Sequence, residues 1–179
     1  MKTKQLLFLA VSFMIINVIF SCSSIPDQAT AVQNFEKEKY LGKWFEIARI
    51  DFKHERNLNN VTAEYTLNND GTIKVNNQGY NVKTNEWEQA IGKAKFAGDE
   101  NVAMLKVSFW GPFYSGYNVI GLDEDYNYAL VAGKNHDYLW ILSRETTIPE
   151  DVKENYLQIA QNAGYDTSEL LWVEHNNQE

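Results

Sequence analysis

The side chains that could carry out chemistry are few in this sequence, and their spacing does not suit catalysis. The three histidines, His54, His136 and His175, fall in predicted loops or near the C-terminus. No two of them have the His-x-x-x-His spacing of a metal site. Strand alternation places Ser108 and Ser143 on outward faces, so no Ser-His-Asp nucleophile can be assembled. We therefore expect a protein that is not an enzyme and has no metal or cofactor.

The single cysteine, Cys22, follows a segment with the organisation of an export signal. Lys2 and Lys4 precede an apolar run over residues 6–20, and a small serine stands directly before the cysteine. This arrangement resembles the signal of bacterial lipoproteins. The resemblance implies cleavage before Cys22, a thioether-linked diacylglycerol on its sulfur and an acylated new N-terminus. We predict a signal peptide at 1–21, lipidation at Cys22 and, because a serine follows it, sorting to the outer membrane.

An uncleaved membrane anchor is the alternative interpretation of the same segment. About 20 residues from Leu6 to Ile25 carry no charge, which is long enough to span a bilayer. Either form attaches the rest of the chain to a membrane. With Cys22 modified, no thiol remains for a disulfide or a cysteine nucleophile.

Length and charge limit the function classes further. The chain has 179 residues, of which 44% are hydrophobic and 13% aromatic, so it has enough apolar surface for one well-packed domain. Its net charge is −8. Nucleic acid is therefore not an expected partner, because phosphate-backbone binding needs a basic surface.

The chain divides into a polar segment at 22–38, expected to be a lipidated tether, and a domain at 39–175. Within the domain, short stretches rich in β-branched and aromatic residues alternate with turn clusters, which indicates an all-β protein. Eight strands are predicted near 43–50, 61–68, 72–79, 88–97, 102–110, 117–123, 126–133 and 138–144. Short connections favour an eight-stranded up-and-down antiparallel β-barrel. Helical periodicity at 148–163 predicts one α-helix packed on the outside, and 170–174 could add a short edge strand.

Alternation within the predicted strands indicates which side chains face the interior. Trp140 shares the inward face of the last strand with Tyr138, whereas the neighbouring residues face the helix. Glu46 is an unexpected member of the inward set, because alternation places it on the same side as Trp44. We expect it either to bond a buried tyrosine hydroxyl or to be twisted outward. Eight strands enclose either a filled core or one small-ligand cavity, and the residues alone leave both open.

Three stretches resemble the signature motifs of the lipocalin family. Gly42-Lys43-Trp44 is similar to the opening Gly-x-Trp motif, the stretch 123–131 resembles the second motif, and Ile141-Leu142-Ser143-Arg144 resembles the third. The similarity covers about residues 39–175 and is greatest to bacterial outer-membrane lipoprotein lipocalins and the apolipoprotein D branch.

The resemblance implies a fold and a role for each motif residue. Trp44 should lie across the closed end of the barrel, with the Arg144 guanidinium stacked on it. Gly42 should be small because the chain passes closely beneath. These three residues are expected to close the barrel and to have no part in ligand binding.

The resemblance also implies a ligand cavity that opens beside the loop 49–60. In this branch the ligand would be a fatty acid, a lysophospholipid or a similar small hydrophobic molecule, held for lipid storage, transport or stress maintenance in the cell envelope. The candidate contacts are the inward residues Tyr65, Val107, Phe109, Tyr117, Val119, Ala129, Val131, Tyr138 and Trp140. Some lipocalins bind haem through histidine. Because His54 lies in the loop 49–60, a tetrapyrrole ligand is a further alternative.

Two other functions fit the same sequence. The first is an enzyme acting on a small hydrophobic substrate inside the cavity. The second is an envelope interaction protein with a filled barrel, whose aromatic loop at 110–117 binds a partner. A homodimer is also left open.

Overall fold

A computed structural model describes residues 24–176 of the chain. The predicted signal peptide at 1–21 and the lipidation site Cys22 lie outside these residues. Among the described residues, no helix has the length and apolar character needed to cross a membrane.

Nine strands and two α-helices make up the described chain. In order they are α1 (Lys37–Tyr40), β1 (Gly42–Ile50), β2 (Leu58–Leu67), β3 (Ile73–Asn81), β4 (Glu86–Phe96), β5 (Met104–Trp110), β6 (Phe113–Leu122), β7 (Tyr128–Ala132), β8 (Leu139–Ser143), α2 (Glu150–Asn162) and β9 (Leu170–Trp172). The eight predicted strands, the long helix and the short last strand are all present, with bounds shifted by a few residues.

The first eight strands form a closed antiparallel barrel in sequential order. Each strand pairs with the next, and β1 pairs with both β8 and β2, which closes the barrel. The β1–β2 pairing covers only Gly42–Phe45 of β1, and the other end of β1, Ala48–Ile50, pairs with β9 instead. The predicted up-and-down eight-stranded barrel is confirmed.

The up-and-down order gives the barrel two different ends. One end carries the start of β1, where Trp44 is fully buried, and we call it the closed end. The opposite end, the open end, carries four connections, at residues 51–57, 82–85, 111–112 and 133–138. Any ligand that enters along the barrel axis passes between these four connections.

Apolar side chains form two cores, one on each side of the barrel wall. The inner core fills the barrel and includes Trp44, Val75 and Leu105. The outer core lies between the wall and α2 and includes Leu139 and Ile141 of β8 together with the helix residues Tyr156 and Ala160. Alternate residues of β8 therefore belong to different cores, as the sequence pattern predicted.

The described part of the predicted tether is packed against the barrel and is not a free linker. Phe35 is buried in the inner core, and Ala31 is also buried. The Val32 N–H donates to the Val119 carbonyl, and the Val32 carbonyl accepts from the Ala103 N–H, each at 2.9 Å. Sequence polarity predicted a tether because the buried residues of this segment are few and widely spaced.

Candidate ligand cavity

Trp44 and Arg144 close one end of the barrel. The Arg144 guanidinium lies 3.8 Å from the centre of the Trp44 ring, which confirms the predicted stacking. Its nitrogens also donate to the backbone carbonyls of Lys39, Tyr40, Leu41, Lys43 and Tyr126. The indole N–H of Trp44 donates to the Tyr40 carbonyl at 2.8 Å. The Arg144 guanidinium therefore connects the end of β8 to the segment before β1 and to the first residues of β1.

Gly42 is required for a different reason from the one predicted. Its φ is +93°, a conformation that residues with a Cβ rarely adopt. The nearest atom to an added Cβ would be Arg144 Nη1 at 3.5 Å, which is ordinary van der Waals contact. The backbone conformation therefore selects glycine, and a closely passing chain does not.

Above this closure the barrel encloses a cavity of about 380 Å³. Its wall is mainly apolar, with Ile73, Val75, Ala94, Leu105 and Leu142 among the lining residues. Six of the predicted contact residues also line it: Tyr65, Val107, Phe109, Tyr117, Tyr138 and Trp140. A cavity of this size and composition suits an apolar ligand, since small-molecule sites are concave, mostly apolar and at least about 300 Å³.

Val119, Ala129 and Val131 face the barrel interior but do not line the cavity. All three are fully buried in the inner core. Larger neighbours, Tyr117 and Trp140, pack against the same core and line the cavity in their place. Alternation correctly predicts that these side chains point inward. It does not predict which inward-pointing side chains are covered by other side chains and so do not reach the cavity.

Three tyrosines join their hydroxyls inside the barrel. The Tyr117 hydroxyl lies 2.7 Å from that of Tyr40 and 2.8 Å from that of Tyr65. Burial raises the pKa of all three phenols, so they are neutral at physiological pH. The group therefore offers hydroxyls, without charge, to a ligand that reaches it.

A buried charged cluster occupies the cavity wall near the open end. Arg49 is fully buried, and its Nη1 donates to Glu46 Oε1 at 2.7 Å. Its Nη2 donates to the carbonyls of Glu55 and Leu58. The Glu55 carboxylate accepts from the Trp140 indole N–H at 2.9 Å. The guanidinium is thus paired with the Glu46 carboxylate, whereas it meets Glu55 only through the backbone carbonyl.

Burial controls the ionisation of this cluster. It raises the pKa of Glu46 well above the ordinary value, and the nearby Glu55 carboxylate raises it further, against the opposing effect of Arg49. Burial likewise raises the pKa of Glu55. The charge of the cluster therefore depends on its two carboxyls: with the Arg49 guanidinium it is positive when neither is ionised, neutral when one is, and negative when both are.

Strand alternation did not predict this cluster. Glu46 does face inward, but it bonds Arg49 and neither of the two expected outcomes occurs. Arg49 is three residues further on, so strict alternation would place it on the opposite face. A register shift between Glu46 and Ala48 in the β1–β8 pairing brings Arg49 to the side of Glu46. Such bulges reorient side chains in this way.

A second recess of about 480 Å³ adjoins the cavity near the open end. It shares Phe52, His54, Glu55 and Phe109 with the main cavity and extends along residues 88–91 of β4. Beside it, β4 pairs with β5 only over Lys93–Phe96. The Phe109 ring lies over Gly92, where an added Cβ would come within 2.8 Å of it. No pattern in the sequence indicates this recess.

His54 lies in the 51–57 connection and lines the cavity, whereas His136 contacts the Ala163 carbonyl on the outside. Across residues 24–176, no three acidic or histidine side chains come together as metal ligands.

Comparisons with known proteins agree with this architecture. A family model described as a lipocalin-like domain matches residues 35–175. Outer membrane lipoprotein Blc of Citrobacter freundii is 51% identical over 158 residues, covering 87% of this chain and 89% of that protein. Apolipoprotein D of Cavia porcellus is 30% identical over 164 residues, covering 87% and 83%. Insecticyanin of Manduca sexta shares the fold, with a TM-score of 0.68 at 19% identity, covering 83% and 85% of the two chains.

These matches have consequences for location and activity. The bacterial relative is an outer membrane lipoprotein, in agreement with the predicted location at the bacterial outer membrane. Membership of this family implies binding of a small hydrophobic ligand, in agreement with the expectation that the chain is not an enzyme. With the predicted family confirmed, the chain belongs to the lipocalin-like family.

Proposed function

We propose that this chain is a membrane-tethered lipid carrier, anchored through acyl chains on Cys22, that holds a single-chain lipid in its barrel. The observation that carries the proposal is the apolar cavity of about 380 Å³ with a charged cluster near its mouth. Each methylene removed from water contributes about 0.8 kcal/mol, so the apolar wall favours an acyl chain. Release into and uptake from the outer membrane would serve lipid storage, transport or maintenance under stress.

The charged cluster favours one of the predicted ligand classes over the other. The Glu46 and Glu55 carboxyls line the cavity, and Arg49 can neutralise only one of them. An ionised Glu55 would repel a fatty acid carboxylate placed near it. The ammonium of a zwitterionic lysophospholipid would be attracted, and Lys134 on the same wall could meet the phosphate. We therefore place lysophospholipids ahead of fatty acids.

Replacing Trp140 by alanine should weaken lipid binding about tenfold, equivalent to about 1.4 kcal/mol, because the indole lines the cavity. The measurement is a titration of the delipidated protein with oleate and with lysophosphatidylcholine, followed by isothermal calorimetry. Trp172→Ala is the matched control, since Trp172 is exposed on β9 and does not line the cavity. Absence of saturable binding by either lipid to the unaltered protein would refute the carrier function and favour a filled barrel.

Glu55→Gln tests the role of charge in ligand choice. Glutamine can still accept the Trp140 N–H bond, so the geometry is kept while one negative charge is removed. We expect oleate to bind about tenfold more tightly, because the variant lacks the repulsion of about 1–2 kcal/mol between the Glu55 carboxylate and the oleate carboxylate. Lysophosphatidylcholine should bind equally or more weakly.

Glu86→Gln is the control for Glu55→Gln, because Glu86 is an exposed carboxylate on β4 outside both cavities. Equal changes in both variants would show that only the overall charge matters. Unchanged oleate affinity in Glu55→Gln would contradict the proposed order of the two ligand classes.

A further inference from the structure

Large exposed hydrophobic side chains concentrate at the open end of the barrel. Within the described residues there are nine such side chains, and six lie on the two neighbouring hairpins β3–β4 and β5–β6. They are Val82, Trp87, Ile91, Trp110, Phe113 and Tyr114. Trp110 and Phe113 are the most exposed, at 74% and 79%. We call these six residues the apolar rim.

The N-terminal segment reaches the same end of the barrel. The Ser24 carbonyl accepts a 2.8 Å hydrogen bond from Asn118 Nδ2, which also donates to the carbonyl of Gly133 in the 133–138 connection. Gly116 lies beside it, and an added Cβ there would collide with the Ser24 carbonyl. Asn118 is fully buried, so Ser24 is held against β6 at a defined position.

This position limits where the lipid on Cys22 can be. Cys22 precedes Ser24 by two residues, and a fully extended chain advances at most about 3.6 Å per residue. A lipid anchor two residues before Ser24 can therefore reach no further than about 7 Å from the Ser24 Cα. Acyl chains attached there would enter the bilayer beside the open end, between the β5–β6 hairpin and the 133–138 connection.

We propose that the open end of the barrel faces the membrane, with the apolar rim inserted among the lipid headgroups and upper acyl chains. The proposal rests on the lipidation of Cys22 in the function proposed above. Aromatic side chains are favoured at the membrane interface, because one part of the ring system is apolar and another tolerates water. An exposed apolar patch of this kind otherwise marks a surface that a partner covers.

The charges around the open end favour apolar insertion over electrostatic adsorption. This end carries exposed Lys53, Lys83 and Lys134 in its connections, and also the exposed acids Glu86, at the start of β4, and Asp137. Because the two signs are mixed, attraction to anionic lipids is weak. Insertion of the rim should therefore persist at high salt, which would screen an electrostatic contact. In this orientation a lipid could pass between the bilayer and the cavity without crossing bulk water.

Fluorescence quenching by labelled lipids tests the orientation. The mature lipidated protein is reconstituted into vesicles of phosphatidylethanolamine and phosphatidylglycerol that contain doxyl-labelled phosphatidylcholine. We expect tryptophan emission to be quenched, and expect the double variant Trp87→Phe, Trp110→Phe to lose most of the quenchable emission. Trp172→Phe is the matched control and should retain it, since Trp172 is exposed on the side wall of the barrel. The quenching should be unchanged at high salt.

Three results would overturn the orientation. Quenching that disappears with Trp172→Phe would show that the side wall contacts the membrane. Quenching of neither group would show that the barrel stands away from the bilayer. Protection of Trp110 from aqueous acrylamide without quenching by doxyl lipid would show that a protein, such as a second copy of this chain, covers the rim.

The same preparation separates this proposal from the proposed function. Mass spectrometry shows whether Cys22 carries acyl chains, and an unmodified Cys22 would refute both the anchor and the orientation. Titration with lysophosphatidylcholine measures the carrier function independently. Normal lipid binding by a lipidated protein whose Trp110 is not quenched would refute the orientation alone.

Discussion

Replacing Arg49 by methionine is expected to lower the free energy of unfolding by about 3–5 kcal/mol at pH 8, because it leaves the buried Glu46 carboxylate without its partner and removes the positive charge near Glu55. Arg49 is fully buried, donates to Glu46 and also satisfies the carbonyls of Glu55 and Leu58. Methionine is apolar and of similar length, so it fills much of the space without replacing any of these bonds. Urea unfolding followed by circular dichroism measures the loss.

The loss should depend on pH in a defined direction. The native pKa values of Glu46 and Glu55 are raised by burial, so the folded protein binds more protons than the unfolded chain above pH 4.5. Stability contributed by these carboxyls therefore falls as pH rises through this window. Removal of Arg49 raises both pKa values further. The difference between Arg49→Met and the unaltered protein should be largest at pH 8 and smaller near pH 4.5.

Arg56→Met is the control for Arg49→Met, because Arg56 pairs with Asp51 at the surface with more than half of its side chain exposed. Exposed ion pairs contribute only about 0–1 kcal/mol, so this variant should be almost as stable as the parent. A loss in Arg49→Met that is equal at all pH values would mean that the lost carbonyl hydrogen bonds and packing, and not the charge of the carboxyls, are responsible.

Trp44→Ala should cost about 3–5 kcal/mol, the usual range for removing a buried large aromatic side chain. Trp44 is fully buried at the closed end, and its removal also leaves the Arg144 guanidinium without its stacking partner. Urea unfolding again gives the measurement. Trp87→Ala, a tryptophan that is 57% exposed, should change stability by no more than about 0.5 kcal/mol.

A double-mutant cycle isolates the contact between Trp44 and Arg144. The variants Trp44→Ala and Arg144→Ala and their combination should show a coupling of about 0.5–2 kcal/mol, as expected for a cation over an indole face. If the two losses of stability simply add, Arg144 acts only through its hydrogen bonds to the five backbone carbonyls. In that case the stacking contributes nothing measurable to closure.

Of the three residues predicted to close the barrel, only Gly42 has a different role from the one predicted. The signature motifs predicted both the Trp44–Arg144 pair and its place in the barrel. The motif glycine, Gly42, was explained by crowding, although its positive φ is the actual requirement. A motif shows which residue type is present, whereas the reason for it depends on a backbone angle that the motif does not contain.

Local sequence pattern determined the barrel itself. Strand period, turn residues and the change to helical period predicted eight strands, their sequential order and the outer helix, because each of these depends on residues close together in the chain. The same period placed Tyr65, Phe109, Tyr117 and Trp140 inside, where they line the cavity.

Tertiary structure alone decided the charged cluster, the packed N-terminal segment and the apolar rim. Arg49 joins Glu46 because one irregular pairing with β8 turns it inward. Ser24 is held at the open end by Asn118, which lies 94 residues away in the chain. The rim residues Trp87 and Ile91 lie on the part of β4 that does not pair with β5. Each of these features depends on how distant segments meet, and a repeating local pattern carries no information about a single interruption or about a distant partner.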